Sequence, residues 1–438
     1  MRRSVHDREI VGIALPALGA LAAEPLYLLT DTAIVGHLGT TELAALALAA
    51  TVLTSVVALC NFLAYGTTAQ VARLHGAGRK RDAGDLGAQA LWLALGVGVL
   101  VAALTALLAR PLVELLGGEG EVAAAAARYL RISAIGLPCA LLALAGQGWL
   151  RGVGDLRSPL VVVVIASAAN VVLEVVLVYG LDLGLDGSAA GTVIAQLGMG
   201  AAFAWLLLRG PASTRRPVWA LIHPLTRMGA HIVVRTGSLL LAFAVASAVL
   251  ARTSDAALAA NQVVFQLFVF LALVLDALAI AGQVMVGRAL GSGDAAQARV
   301  MGRRLCELSF AAGVLMCAAL LASSGLVPQA FTSDDAVLDQ VAIAWPIFAA
   351  LVPFAAIVFA LDGILIGASD TRFIAVAMAL AASVSIALQF VALALDWGIA
   401  GVWAAMAALM AVRLATMGAR FAGTGWAVTG ARLEEPAV

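Results

Sequence analysis

Acidic residues stand inside apolar stretches of the sequence at helical spacing. Tyr27 and Asp31 are four residues apart, and Asn170 and Glu174 repeat this spacing further along the chain. Side chains four residues apart lie on one face of a helix. Carboxylate, amide and hydroxyl oxygens on such faces suit a proton relay or a small hard cation such as Na⁺. These residues therefore predict an ion-binding site.

Thr192 and Gln196 add a third polar face with the same spacing. Counted from the glycines that mark the helix ends, Asp31, Glu174 and Thr192 all lie about 8–9 Å deep, at about 1.5 Å per residue. We predict that the ion is coupled through Asp31, Asn170, Glu174 and Thr192. We place Glu24, Tyr27 and Gln196 in a substrate cleft. Hydrogen bonding between helices is the alternative role for the uncharged members and for Glu24.

The second half of the chain carries intramembrane charges of both signs, at Arg235, Asp276 and Asp362. All three favour the inner half of the membrane, and their charges can compensate one another. Two roles are left as alternatives for these three residues: a structural network and an inner gate. No HExxH, Walker or nucleotide-binding glycine motif occurs, and the histidines have no metal-ligand spacing, so we assign no catalytic residue and no cofactor.

The composition indicates which class of protein carries these residues. The 438 residues are 63% hydrophobic and 12% charged, with a mean hydropathy of +1.03. Soluble domains carry about 25% charged residues. A soluble enzyme is therefore excluded, and a net charge of zero gives no argument for nucleic acid. An all-α membrane protein with about twelve crossings remains, since a crossing needs about 20 apolar residues.

The apolar segments are separated clearly enough to be placed. We predict helices at residues 10–35, 43–74, 86–109, 122–150, 159–180, 187–208, 225–250, 256–290, 303–325, 337–366, 373–395 and 398–421. We expect kinks where prolines interrupt them, at Pro16, Pro25, Pro138, Pro346 and Pro353.

Basic residues predict the orientation. With a cytoplasmic N-terminus, 21 of the 26 Lys and Arg residues, Arg413 among them, fall in cytoplasmic segments or the adjacent helix ends. Such an excess is typical of the cytoplasmic side. We therefore expect a multi-pass protein of the cytoplasmic membrane with both termini in the cytoplasm.

The second half of the chain also repeats the first half at a constant offset. The stretch Gly146–Arg157 (GQGWLRGVGDLR) matches Leu361–Arg372 (LDGILIGASDTR). Because each half holds an even number of helices, the two halves enter the membrane from the same side, as in many secondary transporters. We predict a six-helix lobe at 1–208, a cytoplasmic linker at 209–224, a second lobe at 225–421 and a cytoplasmic tail at 422–438.

Two of these motifs resemble a known family. The stretch Asp31–Ala49 (DTAIVGHLGTTELAALALA) and the motif LDGILIGASDTR are similar to segments of multidrug and toxic compound extrusion (MATE) transporters, in particular the DinF-like branch. The resemblance covers about residues 8–421. It implies a cation-responsive site in the amino-terminal lobe, at Asp31, Asn170, Glu174 and Thr192 with Tyr27 beside it. Many relatives carry Asp where this chain has Glu174.

The resemblance implies a secondary antiporter. It would export amphipathic, cationic compounds in exchange for H⁺, with Na⁺ as the alternative ion, and could work as a monomer surrounded by lipid. The second hypothesis is export or flipping of a lipid-linked saccharide, which calls for a cationic cleft rather than five intramembrane acids and one base. A membrane-embedded hydrolase is the remote alternative, and no catalytic set supports it.

Overall fold

The computed structural model describes residues 2–431, and the side chains of residues 2–5 and 24 lie outside the described set. The described residues form helices and no β-strand. The helices are α1 (Arg2–Gly36), α2 (Thr40–Cys60), α3 (Phe62–Gly76), α4 (Lys80–Leu107), α5 (Ala109–Leu115), α6 (Gly120–Ala134), α7 (Leu137–Val153), α8 (Arg157–Val175), α9 (Gly184–Leu208), α10 (Trp219–Ala251), α11 (Asp255–Gly291), α12 (Ala295–Ala322), α13 (Asp335–Gly367), α14 (Thr371–Ala394) and α15 (Gly398–Ala422). A π-helical turn (Val176–Gly180) and a 3₁₀ turn (Pro328–Ala330) complete them.

The number of membrane spans agrees with the sequence prediction. In the described part of the chain, eleven spans, one of them formed by α2 and α3 together, are long and apolar enough to cross a membrane. The bent pair α6–α7 raises the number to twelve when it is counted as one span. The prediction of an all-α membrane protein is confirmed.

The predicted span 122–150 is bent, as expected at Pro138, and the bend divides it into two helices. Helix α6 ends at Ala134 and α7 begins at Leu137, with a bend of 52° between them. Pro138 lies in the first turn of α7, where a missing N–H leaves no intrahelical bond unmade. In a continuous helix the same proline would leave the carbonyl of Ala134 without its partner and would clash with it.

The internal duplication is visible in the helix bounds. Helices α4 and α12 are equally long, and the offset that pairs Gly146 with Leu361 in the sequence superposes both their starts and their ends. The same offset relates the segment Thr40–Gly76 to α11. Helix α13 stands in the place of the pair α6–α7, so one repeat bends where the other is continuous. The repeats therefore share a helix order and differ in local detail.

The chain forms two compact units. The first comprises Pro16–Gly229, and the second comprises the residues up to Leu15 together with those from Ala230 onward. Residues 209–224, predicted as a linker, belong to the first unit, and their backbone is bonded to α4. Each change of unit occurs inside a helix, in α1 and in α10.

Candidate functional site

A pair of buried carboxyl groups lies in the first unit. Asp31 on α1 is 1% exposed and Glu174 on α8 is 0% exposed. The two side chains are close enough to interact directly. Among the described residues neither forms an ion pair with Lys, Arg or His. The structure thus brings together Asp31 and Glu174, and their role as one ion-coupling site stays a prediction.

Each carboxyl group is held by one neutral donor. Ser188 Oγ donates to Asp31 Oδ1 at 2.6 Å, and Asn170 Nδ2 donates to Glu174 Oε1 at 2.7 Å. Glu174 Oε2 and Asn170 Oδ1 are buried and have no hydrogen-bond partner among the described residues. Buried polar atoms are normally hydrogen-bonded. These two acceptors therefore mark a place where a proton or a cation would be stabilised.

Helices α1 and α9 meet at this site through two matched pairs. Tyr27 and Thr192 share a hydrogen bond of 2.8 Å between their hydroxyl groups, one turn away from the Asp31–Ser188 bond. Tyr27 and Asp31 are four residues apart on α1, and Ser188 and Thr192 are four residues apart on α9. The earlier residue of α1 bonds the later residue of α9, so the two helices run in opposite chain directions here. The C-terminal part of α1 is thus bonded to α9 by two polar contacts, one of which depends on a carboxylate.

Glycines allow α9 to approach the acid-bearing helix closely. A Cβ atom on Gly191 would lie 3.3 Å from Glu174 Cγ, and one on Gly187 would lie 2.9 Å from the Leu177 carbonyl carbon. The π-helical turn Val176–Gly180 begins two residues after Glu174. Such turns are frequent at functional sites because they shift the register of the helix face that follows.

Two residues of the site were missed by sequence reasoning. Ser188 lies one turn before Thr192 on the same face of α9, so helical spacing would have found it. Tyr129 on α6 is 2% exposed and interacts with Asp31, Ser188 and Thr192. It stands in an alanine-rich segment without an acidic residue at helical spacing, and only the fold brings it to the acids.

The predicted cleft residues do not all join this cluster. Gln196 packs at the α6–α7 break, where its Oε1 fills the space that a Cβ atom on Gly136 would occupy. Tyr27 lies in the cluster, while the side chain of Glu24 is outside the described set. Their role in a substrate cleft stays a prediction.

A charged cluster occupies the second unit. Arg235 Nη2 donates to Asp362 Oδ2 at 2.6 Å, and Arg413 Nη2 donates to the same oxygen. Arg413 is 2% exposed and joins this cluster, whereas from the sequence it was grouped only with the residues of the cytoplasmic side. Asp276 lies half-buried on α11. Sequence reasoning missed Arg413 because it stands nine residues before the end of α15, where a basic residue can extend towards the cytoplasm.

A site for a multiply coordinated metal ion is absent from the described residues. No three His, Cys, Asp or Glu side chains come together in an arrangement that could hold a metal ion. The predicted Na⁺ set contains two carboxylates, an amide and a hydroxyl, so this finding does not test it.

Known proteins match this chain over most of its length. The MatE family model matches residues 16–176 and 233–391. Protein DETOXIFICATION 44, chloroplastic, from Arabidopsis thaliana is 32% identical over 93% of this chain and 80% of its own length. DNA damage-inducible protein F from Escherichia coli (strain K12) is 30% identical over 93% of this chain and 90% of its own.

The fold also matches solved structures. The crystal structure of a mutant of the Vibrio cholerae MATE transporter VcmN superposes with a TM-score of 0.89 at 20% identity, covering 97% of this chain and 99% of that one. This likeness concerns the fold, while the family model and the relatives concern the sequence. The family model agrees with the prediction of a transporter rather than an enzyme. The chain belongs to the MatE family of transporters.

Proposed function

We propose that this transporter exports amphipathic, cationic organic compounds in exchange for protons, with Asp31 and Glu174 as the coupling pair. The observation that carries the proposal is the buried, directly interacting acid pair, which no basic side chain of the described chain neutralises. The family, and an Arabidopsis relative named for detoxification, support export of organic compounds.

Electrostatics explains why such a pair would bind a cation. Two unit charges about 4 Å apart repel by about 4 kcal/mol at an effective dielectric constant of about 20. Asn170 and Ser188 each stabilise one oxygen, which leaves Glu174 Oε2 without a donor among the described residues. A proton shared by Asp31 and Glu174 would remove the repulsion and supply that donor. Na⁺ at the same oxygens is the alternative.

The coupling step follows from the contacts of α1. When a proton neutralises Asp31, the charge-assisted bond from Ser188 weakens, and α1 loses one of its two polar contacts with α9. Pro16 and Pro25 lie inside α1 and allow it to bend. We propose that proton uptake bends α1 there, so that ion and exported compound favour different conformations.

Location and substrate class belong to the same proposal. The distribution of basic residues supports a cytoplasmic-membrane protein with both termini in the cytoplasm. Two complete lobes in one chain support a monomer. A lipid-linked saccharide remains the second substrate class, but its pyrophosphate would meet carboxylates in the first unit rather than cations.

Reconstituted protein tests the proposal. Export of a fluorescent lipophilic cation from liposomes is measured under an imposed pH gradient and, separately, under a Na⁺ gradient. Asp31→Asn and Glu174→Gln should each lower pH-driven export at least ten-fold. Asp186→Asn on α9 is the matched control, since it removes only an exposed pair with Arg128 and should export normally.

The gradients distinguish the ions. Export driven by pH and lost in both acid variants supports the proposed coupling, whereas export driven by Na⁺ alone identifies the other ion. Wild-type export by both Asp31→Asn and Glu174→Gln would show that coupling lies elsewhere. No export under either gradient would favour the lipid-linked substrate.

A further inference from the structure

The first helix of each repeat is divided between the two units. Residues 6–15 of α1, here called the α1 arm, group with the second unit, although the rest of α1 lies in the first. Residues 219–229 of α10, here called the α10 arm, group with the first unit, although the rest of α10 lies in the second. The two divisions are related by the internal repeat.

The α1 arm is anchored by a bidentate ion pair. Arg304 on α12 donates from Nε to Asp7 Oδ1 at 2.7 Å and from Nη2 to Asp7 Oδ2 at 2.9 Å. Isolated surface pairs contribute little, but two parallel bonds to one carboxylate fix both distance and orientation. Ile10 and Ile13 of the same arm are buried, at one helical face.

The α10 arm is anchored by an amide instead of a charge. Gln89 on α4 accepts a bond from the Val218 N–H at 2.8 Å and donates to the Arg216 carbonyl at 3.0 Å, directly before the arm begins. Leu225 and Met228 of the arm are buried at one face, as Ile10 and Ile13 are in the other arm. The preceding residues 213–214 are also bonded to α4.

The two sets of anchors coincide under the repeat. Gln89 and Arg304 occupy the same position of the equivalent helices α4 and α12. The repeat offset also pairs the buried arm residues, Ile10 with Leu225 and Ile13 with Met228. We propose that the two repeats exchange the first turns of their first helices, and that Arg304 and Gln89 are the equivalent residues that hold the exchanged arms.

The exchange has a mechanical consequence for α1. The helix that carries Asp31 in the first unit is tied at its other end to the second unit through Asp7 and Arg304. A shift of α1 that accompanies a change at Asp31 would therefore act on the second unit through this arm. The arms would serve as paired connections between the units. This role is additional to the proposed ion chemistry.

Hydrogen exchange of the full-length protein in lipid nanodiscs tests the proposal without any substrate. In Arg304→Gln the amides of residues 6–15 should exchange about ten-fold faster, because local opening of the arm no longer breaks an ion pair. Glu307→Gln is the matched control, since Glu307 bonds the same Arg304 from within α12. In Gln89→Ala the acceleration should fall on residues 213–222 instead.

A variant in which the two charges are swapped distinguishes loss of the ion pair from misfolding. Asp7→Arg combined with Arg304→Asp should return exchange in residues 6–15 towards the wild-type rate. Unchanged exchange of the α1 arm in Arg304→Gln would overturn the proposal. So would equal acceleration by Glu307→Gln, or an effect of Gln89→Ala on residues 6–15. Because the readout is exchange and not export, these outcomes are independent of whether the coupling proposal holds.

Discussion

Asp362→Asn should destabilise the second unit by removing the anion that lies between two cations. Its Oδ2 accepts hydrogen bonds from both Arg235 and Arg413. Asp362 is 2% exposed and Arg413 is 2% exposed, so water cannot replace the carboxylate. Asparagine keeps the shape and one acceptor oxygen, which makes charge the main property that changes.

The size of the effect follows from these contacts. Two cations that bond one oxygen lie within about 5–6 Å of each other, and they repel by about 3 kcal/mol at an effective dielectric constant of about 20. Arg235 is partly exposed and can relieve some of this by turning towards water, whereas Arg413 cannot. Breaking a buried pair by removing one partner costs about 3–5 kcal/mol. We expect the free energy of unfolding to fall by that amount.

Unfolding in mixed micelles by increasing dodecyl sulfate measures this free energy. Asp186→Asn, which removes the exposed pair with Arg128, should cost less than about 1 kcal/mol. The double variant Asp362→Leu/Arg413→Leu removes both buried charges and should stay within about 1 kcal/mol of wild type. A loss below about 1 kcal/mol for Asp362→Asn alone would refute the view of the cluster as a structural network in which one acid holds two bases.

Two further predictions concern the first unit. A Cβ atom at residue 84 would lie 1.9 Å from the Pro211 carbonyl oxygen, so Gly84→Ala should displace the segment bonded to α4 and speed tryptic cleavage at Arg216 several-fold; an unchanged cleavage rate would contradict it. Ser188→Ala removes the donor to Asp31 Oδ1, a charged bond of about 1.5–3 kcal/mol, and should lower pH-driven export about ten-fold. Ser55→Ala, whose hydroxyl bonds its own helix, should export normally, and equal effects of the two serine variants would refute a specific role.

Most of the fold could be predicted from hydropathy because each span must satisfy its own backbone. The predicted ranges 256–290 and 398–421 differ from α11 and α15 by at most one residue at either end. The bend in 122–150 was expected at Pro138, but its angle and the division into two helices were not predicted, since the apolar sequence continues across the bend. The exchange of arms was not predicted either, because it depends on packing between residues far apart in the chain.

The candidate site was likewise only partly predictable from the sequence. Helical spacing predicted the pairs Asn170–Glu174 and Tyr27–Asp31, because each lies within one helix. Matched depth also placed Thr192 near them, and its bond to Tyr27 agrees with this. Tyr129 and Arg413 could not be predicted, since each acts on a residue of another helix and has no acidic neighbour at helical spacing that would indicate a shared site.

The duplication shows how charge is distributed between the two units. Under the repeat offset, Asn170 corresponds to Ser385 and Glu174 corresponds to Gln389. Both pairs are buried and hydrogen-bonded at a separation of four residues, from Asn170 Nδ2 to Glu174 and from Gln389 Nε2 to Ser385. The architecture of the pair is therefore present twice, but only the first copy is ionisable.

The reverse holds for the charged cluster of the second unit. Asp362 corresponds to Gln147, which accepts a bond from Arg151 at 3.0 Å, so there a neutral amide stands in the place of the acid. The acid of the second unit is bonded to two bases, Arg235 and Arg413, whereas among the described residues no base neutralises Asp31 and Glu174. A carboxylate that already bonds two cations gains nothing by binding another, but a buried pair of acids without a base is relieved by one. This difference in balance, and not the number of acids, favours ion coupling in the first unit.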